Sequence, residues 1–133
     1  YGMGMAALAD RAPWLSGRLH EDLPQDRLHQ VLGEHRAYLH PYRWTSLGLA
    51  LIEAMAIGMP VLAWSATGAV DAVPPDAGVL SADPDVLRDA AREWLGEPEA
   101  ARQAGLAARR HALAHFGLHR FLDDWDRMFK EVI

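Results

Sequence analysis

Apolar residues fall along this chain in two kinds of run. Short, nearly continuous runs bounded by glycine, proline or polar residues read as strands: Pro13 to Gly17 (PWLSG), Ala37 to Pro41 (AYLHP), Met59 to Trp64 (MPVLAW) and Gly78 to Ser81 (GVLS). Continuous rather than alternating apolar character is expected where both faces of a parallel sheet are covered. The intervening runs have helical spacing. Met5 to Arg11 reads as a short helix ended before Pro13. Leu23, Leu28, Val31 and Leu32 give the next helix one apolar face, with Asp22 as its N-cap, Pro24 in its first turn and Gly33 as its stop. Leu49 to Ile57 predicts a helix buried all round, with Gly58 where a left-handed residue is wanted. Ala69 to Val73 has room for one helical turn. Asp83 caps a helix opened by Pro84, in which Leu87, Ala90, Ala91 and Trp94 recur up to Gly96. A further helix runs from near Pro98 to Gly117, and a last one, from Leu118 to Ile133, carries Phe121, Trp125 and Phe129 at i, i+4 spacing. Strand, helix and strand in alternation predict an α/β fold: a Rossmann-like parallel sheet flanked by helices, followed by a helical tail.

Composition narrows the function. The 133 residues suit one domain, and with half of them apolar the chain can bury a real core. The formal net charge is −5 and the 13 basic residues form no dense block, so a nucleic-acid partner is not expected. There is no cysteine, hence no disulfide framework and no thiolate metal site; this fits a reducing compartment. No apolar run reaches the roughly 18 residues of a membrane span, and "YGMGMAALADRAPW" does not have the shape of a signal peptide. The expectation is a cytoplasmic protein, and the alanine-rich composition suggests a bacterial one. Tyr1 followed by Gly-Met-Gly looks like a strand entering a turn, so the chain is expected to start partway through a larger protein.

The chemistry centres on one acid. From Leu47 to Ile57 every residue is apolar or glycine except Glu53. A carboxylate in such surroundings costs several kcal/mol unless something pairs with it. Its partner is either a ligand in a cleft or a cation such as Arg43 or Arg18. In open parallel sheets ligands sit at the carboxyl ends of the strands. There, Ser46, Leu47 and Gly48 lie where the helix begins, and free backbone N–H groups and the positive end of the helix dipole point outward. Gly48 lets an anion approach the backbone. Glu53, about a turn and a half further in, is suited to gripping the two hydroxyls of a ribose. Thr67, Gly68 and Ala69 open a second turn beside the same rim, and the loop after the first strand adds Arg18.

The stretch "RWTSLGLALIEAMAIGMPVLA", Arg43 to Ala63, resembles the signature of the donor-binding half of retaining GT-B glycosyltransferases, the glycosyl transferases group 1 (family 4-like). Gly48, Glu53, Ala54, Met55, Ala56, Gly58, Pro60 and Val61 match that pattern in order. "WLSGRL", "AYLHP" and "TGAVDAVPPDAGVL" resemble flanking elements of the same family, so the likeness covers nearly the whole chain. It implies that residues 1–133 form a nucleotide-sugar-binding domain, short of its first strand and helix. It also implies that the helices of residues 97–133 pack back toward an N-terminal domain that the chain does not include. By the same resemblance Glu53 binds the ribose, while the backbone of Leu47, Gly48, Leu49 and Ala50 cradles the diphosphate and positions the sugar. Arg18 and Leu19 lie near the base, and Thr67 and Gly68 on the cleft rim. The substrate implied is a UDP- or GDP-sugar, with no cofactor and no metal.

The sequence departs from the pattern in two ways. Thr45 stands where the family has a glutamate that contacts the donor sugar, and the basic pair that clamps the phosphates would precede Tyr1. Thr45 therefore reads either as a neutral sugar contact or as a helix N-cap, and Arg43 as a loop-stabilising side chain more than a phosphate clamp. His111 and His115 have zinc-compatible spacing, but the helix carrying them reads as solvent-facing, with no third ligand. His40, at a strand end near the cleft, reads as a strand-end hydrogen-bonding residue more than as a ligand contact. The stripe Phe121, Trp125 and Phe129 is expected to meet the missing domain or a second copy of the chain. The expected activity is transfer of a sugar from its nucleoside diphosphate with retention, by an enzyme of which this chain alone is inactive. The rival is a non-catalytic nucleotide-binding or protein-interaction module.

Overall fold

The structure, a computed structural model, describes residues 20 and 22–132. The helix expected at Met5–Arg11, the strand at Pro13–Gly17, and Arg18 and Leu19 lie outside the described residues. Three strands, β1 (Tyr38–His40), β2 (Val61–Trp64) and β3 (Gly78–Ser81), form a parallel sheet in the order β1-β2-β3. Tyr38 faces Val61 across one pair and Val61 faces Gly78 across the next. Helices α1 (Gln25–Gly33), α2 (Leu49–Ile57), α3 (Ala69–Ala72), α4 (Pro84–Gly96), α5 (Pro98–His115) and α6 (Leu118–Val132) complete the chain order.

The central strand explains why both faces had to be apolar. Val61 and Ala63 point to one side and pack with Leu51 and Met55 of α2 and with Ala107, Ala108 and Ala112 of α5. Leu62 points to the other and packs with Ala90 and Trp94 of α4 and Ala101 of α5. Successive side chains alternate faces, so a strand covered on both reads as an unbroken apolar run.

Local chemistry sets the helix ends. Asp83 accepts a hydrogen bond from the Asp85 N–H at 2.9 Å, and Pro84 follows where its missing N–H costs nothing. Gly58 ends α2 at φ 94°, a left-handed conformation that side-chain-bearing residues rarely adopt, and its N–H reaches back to Met55 O at 3.0 Å. The α2–α5 contact is tight enough that a side chain at Gly105 would meet the Gly58 carbonyl, and Arg109 donates to the Ala56 carbonyl at the same crossing.

Several expectations are corrected. α1 begins at Gln25 behind Pro24 with no side-chain cap, and Asp22 takes φ 52° rather than capping. The helix around Glu53 is not buried all round. Only Leu51, Ala54 and Met55 are buried, and Leu49 is 77% exposed. Leu49 and Ala50, in its first turn, are both exposed. α5, read as solvent-facing, instead buries Ala101, Gly105, Ala107, Ala108 and Ala112, because small side chains let it lie close to α2 and the sheet. No helix among the described residues is long and apolar enough to cross a membrane.

Candidate functional site

The carboxyl ends of β1 and β2 run into the loops that carry most of the candidate residues. After His40, the segment Pro41–Leu47 crosses the rim and enters α2 through Gly48, whose extended backbone (φ −75°, ψ 117°) makes it the N-cap. Thr45 therefore does not cap the helix. No side chain caps it either, and the Gly48 carbonyl accepts from the N–H groups of Leu51 and Ile52 at 3.0 and 3.4 Å. Among the described residues, the N–H groups of Gly48, Leu49 and Ala50 donate to no protein acceptor. Those are the orphan donors of a helix start, and the dipole adds positive potential at the same place.

The second turn lies against the first. A side chain at Gly68 would meet the Ser46 carbonyl at 3.0 Å and the Leu47 backbone at 3.2 Å. Thr67 precedes it at φ 50°, a strained conformation for a β-branched residue. Ser46, Leu47, Gly48, Thr67 and Gly68 are thus brought together. Two hollows flank them. One of about 480 Å³ is bounded by Arg43, Trp44, Trp64, Ser65 and Thr67. The other, of about 330 Å³, lies between Leu47 and Leu49 and the α5–α6 junction at Phe116, Gly117 and Arg120. The larger apolar groove of about 500 Å³, lined by Leu39, Leu62, Trp94 and neighbours, is on the opposite sheet face. It lacks the polar backbone of the rim, and the rim is the candidate site.

Glu53 is half-buried on the side of α2 that faces α1, and it lines neither rim hollow. Its Oε1 accepts from the Gln25 side-chain amide at 3.2 Å. Arg43, one cation considered as its partner, instead stacks over the Trp64 ring at 4.3 Å, which pins the loop. Trp44, next to it, is 88% exposed.

Beneath the turn is a residue whose role the sequence did not give. His40 is only 2% exposed, and neither ring nitrogen has a hydrogen-bond partner among the described residues, so the expected strand-end hydrogen bond is absent. Its ring lies where a side chain at Gly48 would go, with Cε1 at 2.8 Å from that position. Burial pushes its pKa below the usual imidazole value. Tyr38, on the same sheet face, has its phenol raised by burial, then by Tyr42 and Glu53. His111 and His115 stack at 4.0 Å, and among the described residues no group of three potential ligands could hold a metal ion.

The family pattern of the glycosyl transferases group 1 matches residues 18–111, well over half of the chain. The chain belongs to the glycosyl transferases group 1 family. The rim, its glycine turn and Glu53 all fall inside the matched segment. Among solved structures, a sucrose-phosphate synthase from Thermosynechococcus elongatus superposes with a TM-score of 0.81 over 96% of this chain, at 23% identity. That likeness shows a shared fold, the Rossmann-like GT-B architecture. The chain spans 33% of that enzyme's length. No curated protein matches it. Two features near this site were not legible in the sequence: the burial of His40 without a partner, and the contact of Gln25 with Glu53. A histidine at the end of an apolar strand, two residues from a tyrosine on the same face, was the available signal for the first. For Gln25, which reaches Glu53 from 28 positions away, there was none.

Proposed function

We propose that this glycosyltransferase-family chain binds the nucleoside diphosphate of a UDP- or GDP-sugar donor. In the whole enzyme the sugar would then pass to an acceptor with its anomeric configuration retained. The observation that carries the reading is the cluster of Gly48, Leu49 and Ala50 amides without protein acceptors, at the open start of α2 and against the Gly68 turn. As the bond to the sugar breaks, negative charge grows on the leaving diphosphate, and fixed amides and the helix end stabilise it without reorganising. Glu53, already accepting from a side-chain amide, would exchange that bond for the ribose hydroxyls. Thr45, half-buried on the same loop, would offer the sugar a neutral hydroxyl. Arg18 and Leu19 would line the base. The reading involves no metal and no cofactor, so EDTA is expected to leave nucleotide binding unchanged.

A second reading, a protein-interaction module derived from this fold, draws support from α6. Phe121, Trp125 and Phe129 contact one another ring to ring at 6.0 and 5.5 Å, yet none is buried. In the first reading this stripe meets a companion domain or a second copy. Titration with UDP, GDP and their sugar conjugates tests the pair. Saturable binding lost in Glu53→Ala supports a donor site, and absence of any nucleotide binding favours the interaction role.

A further inference from the structure

We propose that His40 is a positioning residue of the donor-binding turn, its uncharged ring acting as the wedge that holds the Gly48–Ala50 amides in their anion-accepting orientation. The inference rests on the reading of that turn as the diphosphate seat. Four observations carry it. The ring is almost wholly buried at the carboxyl end of β1. It occupies the volume that a side chain at Gly48 would need, with Cε1 2.8 Å from that position, so no larger residue fits there without displacing the ring. Both ring nitrogens lack partners among the described residues. A neutral imidazole always carries one N–H, and leaving it buried without an acceptor costs free energy that a phenylalanine there would avoid. Finally, the ring is clamped by Tyr42 in edge contact at 5.0 Å and by Tyr38 at 5.9 Å, so it cannot easily turn away.

Charge decides how the wedge behaves. The groups facing it are Tyr42 and Tyr38 from its own strand and loop, and Glu53 of α2 by way of Tyr38, whose phenol is raised by burial first and then by Tyr42 and Glu53. The strand partner Ala63 and the N-cap Gly48 bring no titratable group. A proton on the ring would therefore sit in a desolvated place beside the positive end of α2, where a cation is least welcome. The ring must leave or the turn must shift. Either change misaligns the amides, so the turn loses its hold on an anion under acid conditions.

The test has two parts, and the first needs no nucleotide. Backbone amide shifts of Gly48, Leu49 and Ala50 are followed by NMR from about pH 8 to about pH 5. They are expected to move together with an inflection below 6.5 in the natural chain and to stay flat in His40→Phe. Amides that do not respond, or that respond equally in His40→Phe, overturn the proposal. In the second part UDP and GDP are titrated at both ends of that range. The probe's own phosphate also titrates there, so the comparison with His40→Phe carries the result. The natural chain is expected to lose about tenfold more affinity than His40→Phe on acidification. His40→Ala, with the wedge removed, is expected to bind about tenfold more weakly even at the alkaline end, the loss of one well-aligned hydrogen bond to a charged group. Equal affinity in His40→Ala overturns the wedge. A natural chain that binds neither nucleotide overturns the donor-site reading instead, and the amide shifts still decide the role of His40.

Discussion

Glu53 is the one carboxylate assigned a part in the proposed donor site, and its surroundings say what removing it should do. It is half-buried and held by one amide hydrogen bond from Gln25. Glu53→Ala should therefore weaken UDP or GDP binding at least tenfold while changing stability by no more than about 1 kcal/mol. Calorimetric titration paired with a thermal melt measures both, and a loss of binding matched by unfolding would count against a ligand role. Thr67 offers a second test. Its φ of 50° suits asparagine better than a β-branched side chain. Thr67→Asn is expected to raise stability by about 1 kcal/mol, read from denaturant midpoints; a lower midpoint would mean that the hydroxyl makes up for the strain. At this scale Glu53 was legible because an acid interrupts an apolar run. Its partner was not, since nothing local links residue 25 to residue 53. Nor was the burial of His40, which depends on how the loop after β1 folds back over the ring.

Elements were legible where their ends have dedicated chemistry. Asp83 with Pro84 fixed the start of α4, and Gly58 the end of α2, because cap and left-handed residues act through the backbone next to them. Asp83→Ala should cost about 1 kcal/mol, seen as a lower melting temperature with unchanged nucleotide binding. Gly105→Ala should cost more, about 1–3 kcal/mol, because the added methyl group meets the Gly58 carbonyl where α5 crosses α2. A neutral result would show that the crossing can relax. The start of α1 was misjudged because Asp22, a favourable N-cap by residue type, adopts a left-handed backbone and leaves Pro24 at the boundary. The exposure of Leu49 and the burial of the α5 alanines were misjudged for a shared reason. Periodicity reports how apolar a helix is, not how far the sheet beneath it extends or how closely a neighbour approaches.

For the whole molecule, both pH and assembly should respond. Burial lowers the pKa of His40; burial and the neighbouring His115 lower that of His111. A histidine held neutral in the fold adds stability in full above its ordinary value of 6.5, and that stability is lost as pH falls through and below it toward the lowered value. Thermal melts should therefore fall as pH drops from about 7 to about 5, with His40→Phe flattening part of the slope. The exposed α6 stripe should make the isolated chain self-associate. Trp125→Glu should abolish any dependence of sedimentation on concentration. What tests the central claim most directly is titration of the folded chain with UDP, GDP and their sugar conjugates. One-site saturable binding by at least one of them, weakened at least tenfold by Glu53→Ala and abolished when Gly48→Val collides with the His40 ring and displaces the α2 amides, is the expected result. A folded chain that binds none of them, or binds one equally well with both positions changed, would contradict it.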